Sequence, residues 1–87
     1  MHSPADQFLK RAKDAVIIAE YPTYQFIPGE LYIVWFCKVL GNWKALISTD
    51  VWDGAYWEVT YNGEKKELYV DTYAKKSNQV IKDSDNA

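Results

Sequence analysis

One histidine, one cysteine and one Ser-Thr-Asp run are the residues of this sequence whose types could support catalysis. His2 sits at the fraying start of the chain, whereas a general base must be held within hydrogen-bond reach of its target. It is read as incidental. Cys37 falls between Trp35 and Val39 on the expected core face of a strand, and Lys38 points to the other face. A reactive thiol needs exposure and a positive neighbour, so Cys37 is read as core filling. Ser48, Thr49 and Asp50 are consecutive on a strand, so their side chains alternate and form no triad. Asp50 and Asp53 flank Val51-Trp52 beside a turn, without the spacing of a calcium loop, and are read as turn chemistry. Zinc spacings, phosphate-cradling glycine loops and nucleophile elbows are absent from the sequence. The expectation is a non-enzymatic protein with no cofactor and no metal site.

Aromatic residues are the strongest signal. Four Trp, seven Tyr and three Phe make 16% of the chain. A small domain buries only about 60% of its unfolded surface and needs large side chains in its core. That need covers Trp35 and Trp57. Trp43, Phe36 and Tyr32 fall on the opposite sheet face, where Trp and Tyr serve as interface anchors. Tyr56 and Tyr69 on the outer sheet surface define a second possibility, stacking of nucleobases.

The elements that position these residues follow from spacing. Ser3-Pro4-Ala5-Asp6 reads as a helix start, with Ser3 as cap, Pro4 in the first turn and Asp6 three residues after the cap. Phe8, Ala12, Ala15, Val16 and Ala19 follow at helical spacing, widened by Leu9. Pro22 stops the helix near Glu20. Residues 21–30 form a connector in which Tyr24, Phe26 and Ile27 are apolar enough to pack. From Leu31 the chain reads as strands over about 31–40, 43–52, 55–61 and 64–70, separated by Gly41-Asn42, Asp53-Gly54 and Asn62-Gly63 as two-residue hairpin turns. Ala74, Ser77, Val80 and Ile81 suggest a short C-terminal helix opened by Asp71 or Thr72. The expected fold is a single α+β domain over 1–82: an N-terminal helix, a four-stranded antiparallel meander and a short C-terminal helix. Residues 83–87 are expected to be a disordered tail.

Two-residue turns also set register, because the flanking residues oppose each other on one face. Leu40 then opposes Trp43, and Trp52 opposes Ala55. One face carries Ile33, Trp35, Cys37, Val39, Leu46, Trp52, Ala55, Trp57, Val59, Leu68 and Val70, and is read as the core face. The other is split. Its last two strands present Tyr56, Glu58, Thr60, Lys65, Glu67, Tyr69 and Asp71, a solvated set. Its first two present Tyr32, Val34, Phe36, Leu40, Trp43, Ala45, Ile47 and Val51, an apolar set. The N-terminal helix is committed to the core face, so Tyr32, Val34, Phe36, Leu40, Trp43, Ile47 and Val51 are the expected interface, for a host partner or for a second copy. The competing expectation is that Tyr24, Phe26 and Ile27 fold back over this half.

Ten basic residues stand against twelve acidic ones, a formal charge of −2. No basic stripe exists for duplex nucleic acid and no dense acidic face for mimicry of it. A lone cysteine excludes an internal disulfide and favours a reducing cytosol. The longest apolar run, Leu31 to Cys37, is too short to span a bilayer, so no membrane partner is expected.

Phe8–Val16, Tyr32–Thr49 and Asp53–Lys76 resemble a family of small uncharacterised proteins of bacteriophages and prophages of Gram-positive bacteria. KALIST over 44–49 and the Asp53–Tyr73 stretch, with its Thr60-Tyr61-Asn62-Gly63 and Tyr69-Val70-Asp71, carry the resemblance. The chain departs from that pattern at Gly41, for glutamine, and at Trp57, for tyrosine. The resemblance implies a phage-type accessory protein in the host bacterial cytosol that binds and modulates a host or defence protein. It implies no catalytic residue. The alternative is single-stranded nucleic-acid or nucleotide binding through sheet aromatics, and a small enzyme comes third.

Overall fold

A computed structural model describes residues 3–83. A helix, α1 (Pro4–Glu20), and a single 3-10 turn (Pro28–Glu30) precede four strands: β1 (Leu31–Val39), β2 (Asn42–Thr49), β3 (Ala55–Asn62) and β4 (Glu67–Ala74). The strands form one antiparallel meander in the order β1-β2-β3-β4. Helix α1 covers one face of it.

The helix starts and stops where local chemistry dictates. The Asp6 amide donates to Ser3 Oγ at 3.1 Å and the Ser3 amide to Asp6 Oδ2 at 3.4 Å, a reciprocal cap with Pro4 in the first turn. Tyr21, which precedes Pro22, is already extended, so the helix ends at Glu20. Phe8, Ala12 and Val16, spaced by four, form the buried stripe. Ala12, Ala45 and Ala55 are all fully buried. Such small side chains let helix and sheet approach closely while Trp57, Ile47 and Val59 fill the space around them.

The turns lie elsewhere than the Gly dipeptides indicate. Val39 pairs with Asn42, so the first loop is Leu40-Gly41, with positive φ at both residues (50° and 84°). That is the backbone signature of a type I′ hairpin, and it loads a leucine into a left-handed conformation. Between β2 and β3 the loop runs from Asp50 to Gly54. The Thr49 hydroxyl donates to the Glu30 carbonyl and accepts from the Val51 amide. This ends β2 early. Trp52 turns inward and stacks on Tyr24 at 4.7 Å. Between β3 and β4 the Asn62 side chain accepts from the amides of Glu64 and Lys65, stretching the loop to 63–66. Gly63 is pressed onto the first loop: a Cβ there would lie 2.6 Å from the Gly41 carbonyl oxygen.

These loop lengths reverse the expected faces. A two-residue turn at 53–54 would pair Trp52 with Ala55, whereas Ser48 pairs with Tyr56. The register moves by an odd number of residues, so every β2 side chain changes face relative to β3. Trp43, Ala45 and Ile47 therefore share the helix-covered face with Trp57 and Val59. On β1 a bulge at Val34 shifts the pairing between Ile33 and Trp35. Beyond it Phe36 points to the helix side, and Trp35, Cys37 and Val39 point to the open side. The expected core positions of Trp35, Cys37, Val39 and Leu46 are thus corrected: Trp35, Cys37 and Val39 are exposed and Leu46 is half-buried.

Two further corrections concern the ends. No helix follows β4 among the described residues. The strand itself runs to Ala74, and residues 75–83 have no regular structure and are exposed. Ser77-Asn78 is poor helix sequence, and Val80 with Ile81 has no apolar surface to pack on. Of the expected tail, residues 84–87 lie outside the described residues, as does His2. The connector does fold back, but onto the core under β3: Phe26 is buried against Trp57 at 5.6 Å and Tyr24 bridges Phe26 and Trp52. Ile27 stays exposed.

Candidate functional site

The uncovered face of the sheet is the surface on which most exposed large side chains gather. Register sets its rows, each read across β1, β2, β3 and β4. Tyr32, Ser48, Tyr56 and Tyr73 form one row; Trp35, Leu46, Glu58 and Asp71 the next; Cys37, Lys44, Thr60 and Tyr69 the third. Val39, Asn42, Asn62 and Glu67 close the end beside the first loop. The β1–β2 half is apolar and the β3–β4 half carries tyrosines and carboxylates. A split face thus exists: its β3–β4 half carries Tyr56, Glu58, Thr60, Glu67, Tyr69 and Asp71 as expected, whereas its β1–β2 half carries Trp35, Val39 and Leu46, sharing only Tyr32 with the expected apolar set.

On the apolar half Trp35 is 42% and Val39 59% exposed, beside half-buried Leu46. Ser48, flanked across the sheet by Tyr32 and Tyr56, is buried, with its hydroxyl donating to the Ala55 carbonyl at 2.9 Å. A shallow groove of about 320 Å³ runs along Cys37, Val39, Leu40, Asn42, Lys44 and Thr60. On the other half Lys44 Nζ lies 2.9 Å from Glu58 Oε1, and this partner raises the lysine pKa above its ordinary value. The Tyr69 hydroxyl donates to Glu67, which raises the tyrosine pKa in the same way. Three carboxylates, Glu58, Glu67 and Asp71, stand against one ammonium, Lys44, on this face.

The seven expected interface residues are scattered. Tyr32 lies on the open face and Val34 is the bulge on the outer strand. Phe36 and Trp43 stack at 6.4 Å at the margin of the helix-covered face, where Phe8 and the Lys38 ammonium also meet Trp43. Leu40 stands in the first loop and Val51 in the second, both exposed, and Ile47 is fully buried in its own core. The expected single patch is therefore not formed. Tyr56 and Tyr69 do share the open face and are exposed. Trp35, Val39 and Leu46, with Tyr73, are the residues sequence reasoning missed. Their apolar character beside lysine and glutamate on neighbouring strands was visible, but the face they occupy depends on the length of the loop between β2 and β3.

Among the described residues no group of three or more His, Cys, Asp or Glu side chains could hold a metal ion. The Ser48 and Thr49 hydroxyls donate to the Ala55 and Glu30 carbonyls, Asp50 lies exposed in the loop after β2, and no buried side-chain polar atom lacks a partner among the described residues. No helix among the described residues is long and apolar enough to cross a membrane.

An α+β architecture with one helix-covered and one open sheet face defines the class. Within it, the chain belongs to the family of unknown function DUF6275, which matches residues 6–83. No curated protein and no solved structure matches the chain.

Proposed function

We propose that this domain is a non-enzymatic binding module whose ligand is another protein, engaged through the apolar β1–β2 half of the open face. One observation carries this reading: Trp35 and Val39 stand about half-exposed beside Leu46, in a domain that buries Phe8, Ile47, Val59 and Trp57 under α1. Contiguous exposed apolar surface is costly in a soluble domain and marks contact sites. Trp and Tyr at its centre are the side chains that carry binding energy at such sites. The bacteriophage resemblance supports a setting for it, an accessory protein that binds and modulates a host or defence protein in the bacterial cytosol.

Tyr32, Tyr56, Tyr69 and Tyr73 on the same open face favour a second reading, stacking of a single-stranded nucleic acid or nucleotide. The charge of the face opposes it, because three carboxylates against one lysine repel a phosphate backbone. The test immobilises the domain and its Trp35→Lys/Val39→Lys variant in parallel in lysate of a bacterial host. Both substitutions are at exposed positions, so circular dichroism should stay unchanged. A protein retained by the first and lost by the second supports the proposal. Retention of single-stranded DNA or RNA, abolished by Tyr56→Ala with Tyr69→Ala and weakened by salt, replaces it with the second reading.

A further inference from the structure

Strand β1 is an edge, and it is the less charged of the two. The opposite edge, β4, carries Glu67 and Asp71, charges of the kind that keep edges from pairing. From Leu31 to Cys37, β1 has no charge at all; Lys38 is its single charged residue. The bulge at Val34 breaks its outward hydrogen-bonding row once and leaves the stretch Trp35–Val39 free to pair. This stretch carries apolar side chains on both faces, Phe36 exposed on the helix side beside Lys38, and Trp35 and Val39 on the open side.

The segment that follows β4 has the complementary character. Residues 75–83 are exposed, and within them Val80 and Ile81 are 75% and 89% exposed. In an extended chain adjacent side chains point to opposite faces. Val80 and Ile81 would therefore set one apolar group on each side of a sheet they joined, as the two-sided β1 edge requires. Polar residues, Ser77 to Gln79, and Lys82 flank the pair. The family match extends through residue 83 and so includes this arm, although Val80 and Ile81 lie outside the core of their own chain.

The arm cannot serve its own β1. The Lys75 amide donates to the Gly54 carbonyl at 2.8 Å, which pins the start of the arm beside β3 and β4. The outer edge of β1 lies three strand spacings away, about 14 Å, and Trp35 a further ~10 Å along the strand. Going round the end of the sheet at ~3.5 Å per residue uses about seven residues. Val80 and Ile81 are spent in the crossing.

We infer that the β1 edge is completed in trans: the 76–82 arm of a second copy adds as a fifth strand beside Trp35–Val39, with Val80 and Ile81 clasping the strand from its two faces. Reciprocal exchange closes a two-fold dimer. Main-chain hydrogen bonds supply the affinity of such strand addition and the two side chains its register. The inference rests on the binding-module reading and names its partner.

Light scattering of the full chain tests it, with three variants: Val80→Glu/Ile81→Glu in the arm, Lys38→Pro in the edge, and Trp35→Lys/Val39→Lys on the open face. The arm positions contribute nothing to the core, so that variant should keep its circular dichroism and unfolding midpoint. The expected result is twice the 10.1 kDa chain mass for the wild type and half that value for the arm and edge variants. An equimolar mixture of arm and edge variants should recover one productive contact and sediment above either alone. A monomeric wild type, or an arm variant that stays dimeric, overturns the inference. If the arm variant stays dimeric while the open-face variant dissociates, only the arm fails and the binding reading stands. If the wild type is monomeric and the open-face variant also retains every ligand of the wild type, both fail.

Discussion

Trp57 is the residue whose removal tests the architecture most severely. It is fully buried, meets Phe26 edge-on at 5.6 Å and Trp52 at 5.9 Å, and its indole Nε1 donates to Glu20 Oε1 at 2.9 Å. That bond ties the middle of the sheet to the last turn of α1. Glu20 stands at the negative end of the helix dipole, a position that by itself disfavours a carboxylate, so the indole is its compensation. Trp57→Ala should cost about 3–5 kcal/mol, from lost burial and the cavity left behind. An 87-residue domain has a total stability of roughly 4–13 kcal/mol, so this variant stands near the limit of folding. Trp57→Phe keeps ring contacts and loses the N–H, a loss of about 1–2 kcal/mol. Glu20→Ala leaves the buried N–H without its acceptor and should cost a comparable amount, whereas Glu20→Gln keeps an acceptor and should cost less. Urea unfolding followed by tryptophan fluorescence and circular dichroism reads these values. With a slope of about 1 kcal/mol per molar, the Ala midpoint falls by several molar and the Phe midpoint by about 1–2 M. An Ala variant within half a molar of wild type, or Glu20→Ala and Glu20→Gln that unfold alike with no loss, would refute the picture of Trp57 as the pin between helix and sheet.

Leu40 holds a left-handed backbone and is 97% exposed, so Leu40→Asn relieves the strain with no packing lost and should raise stability by about 0.5–1 kcal/mol in the same urea assay. A destabilised Asn variant would show that the leucine side chain is held by something. Removing the helix cap with Ser3→Ala should cost about 1 kcal/mol; no change in midpoint would mean that the capping box is not formed. Cys37 should react with a thiol reagent in the folded protein, since it is exposed on the open face; reaction only after unfolding would place it in a core. The Glu67 carboxylate raises the Tyr69 pKa above the ordinary value of 10.0, so the stabilising contact is intact below that pH and is lost as pH rises through the folded-state value. Alkaline NMR titration should show Tyr69 ionising earlier in Glu67→Ala than in wild type, and identical titrations would refute the pairing.

Helix α1 was legible in the sequence to the residue, because its limits depend on contacts within one turn: Ser3 with Asp6 at one end, Pro22 acting on Tyr21 at the other. The number, order and direction of the strands were legible too, since alternation and turn residues are local. Which side chains face each other was not. In a strand the side-chain period is two, so one residue more or less in a loop, or one bulge, moves a whole strand's set to the other face. The length of the Asp50–Gly54 loop is decided by Trp52 stacking on Tyr24 and by Thr49 bonding the Glu30 carbonyl, partners 28 and 19 residues distant in the chain. Val34 bulges on the outer strand, which shifts its pairing between Ile33 and Trp35. The sequence by itself determined that the sheet has one apolar half too many for a single helix to cover. Tertiary contacts alone decided that this half consists of Tyr32, Trp35, Val39 and Leu46, because parity, not composition, selects the face.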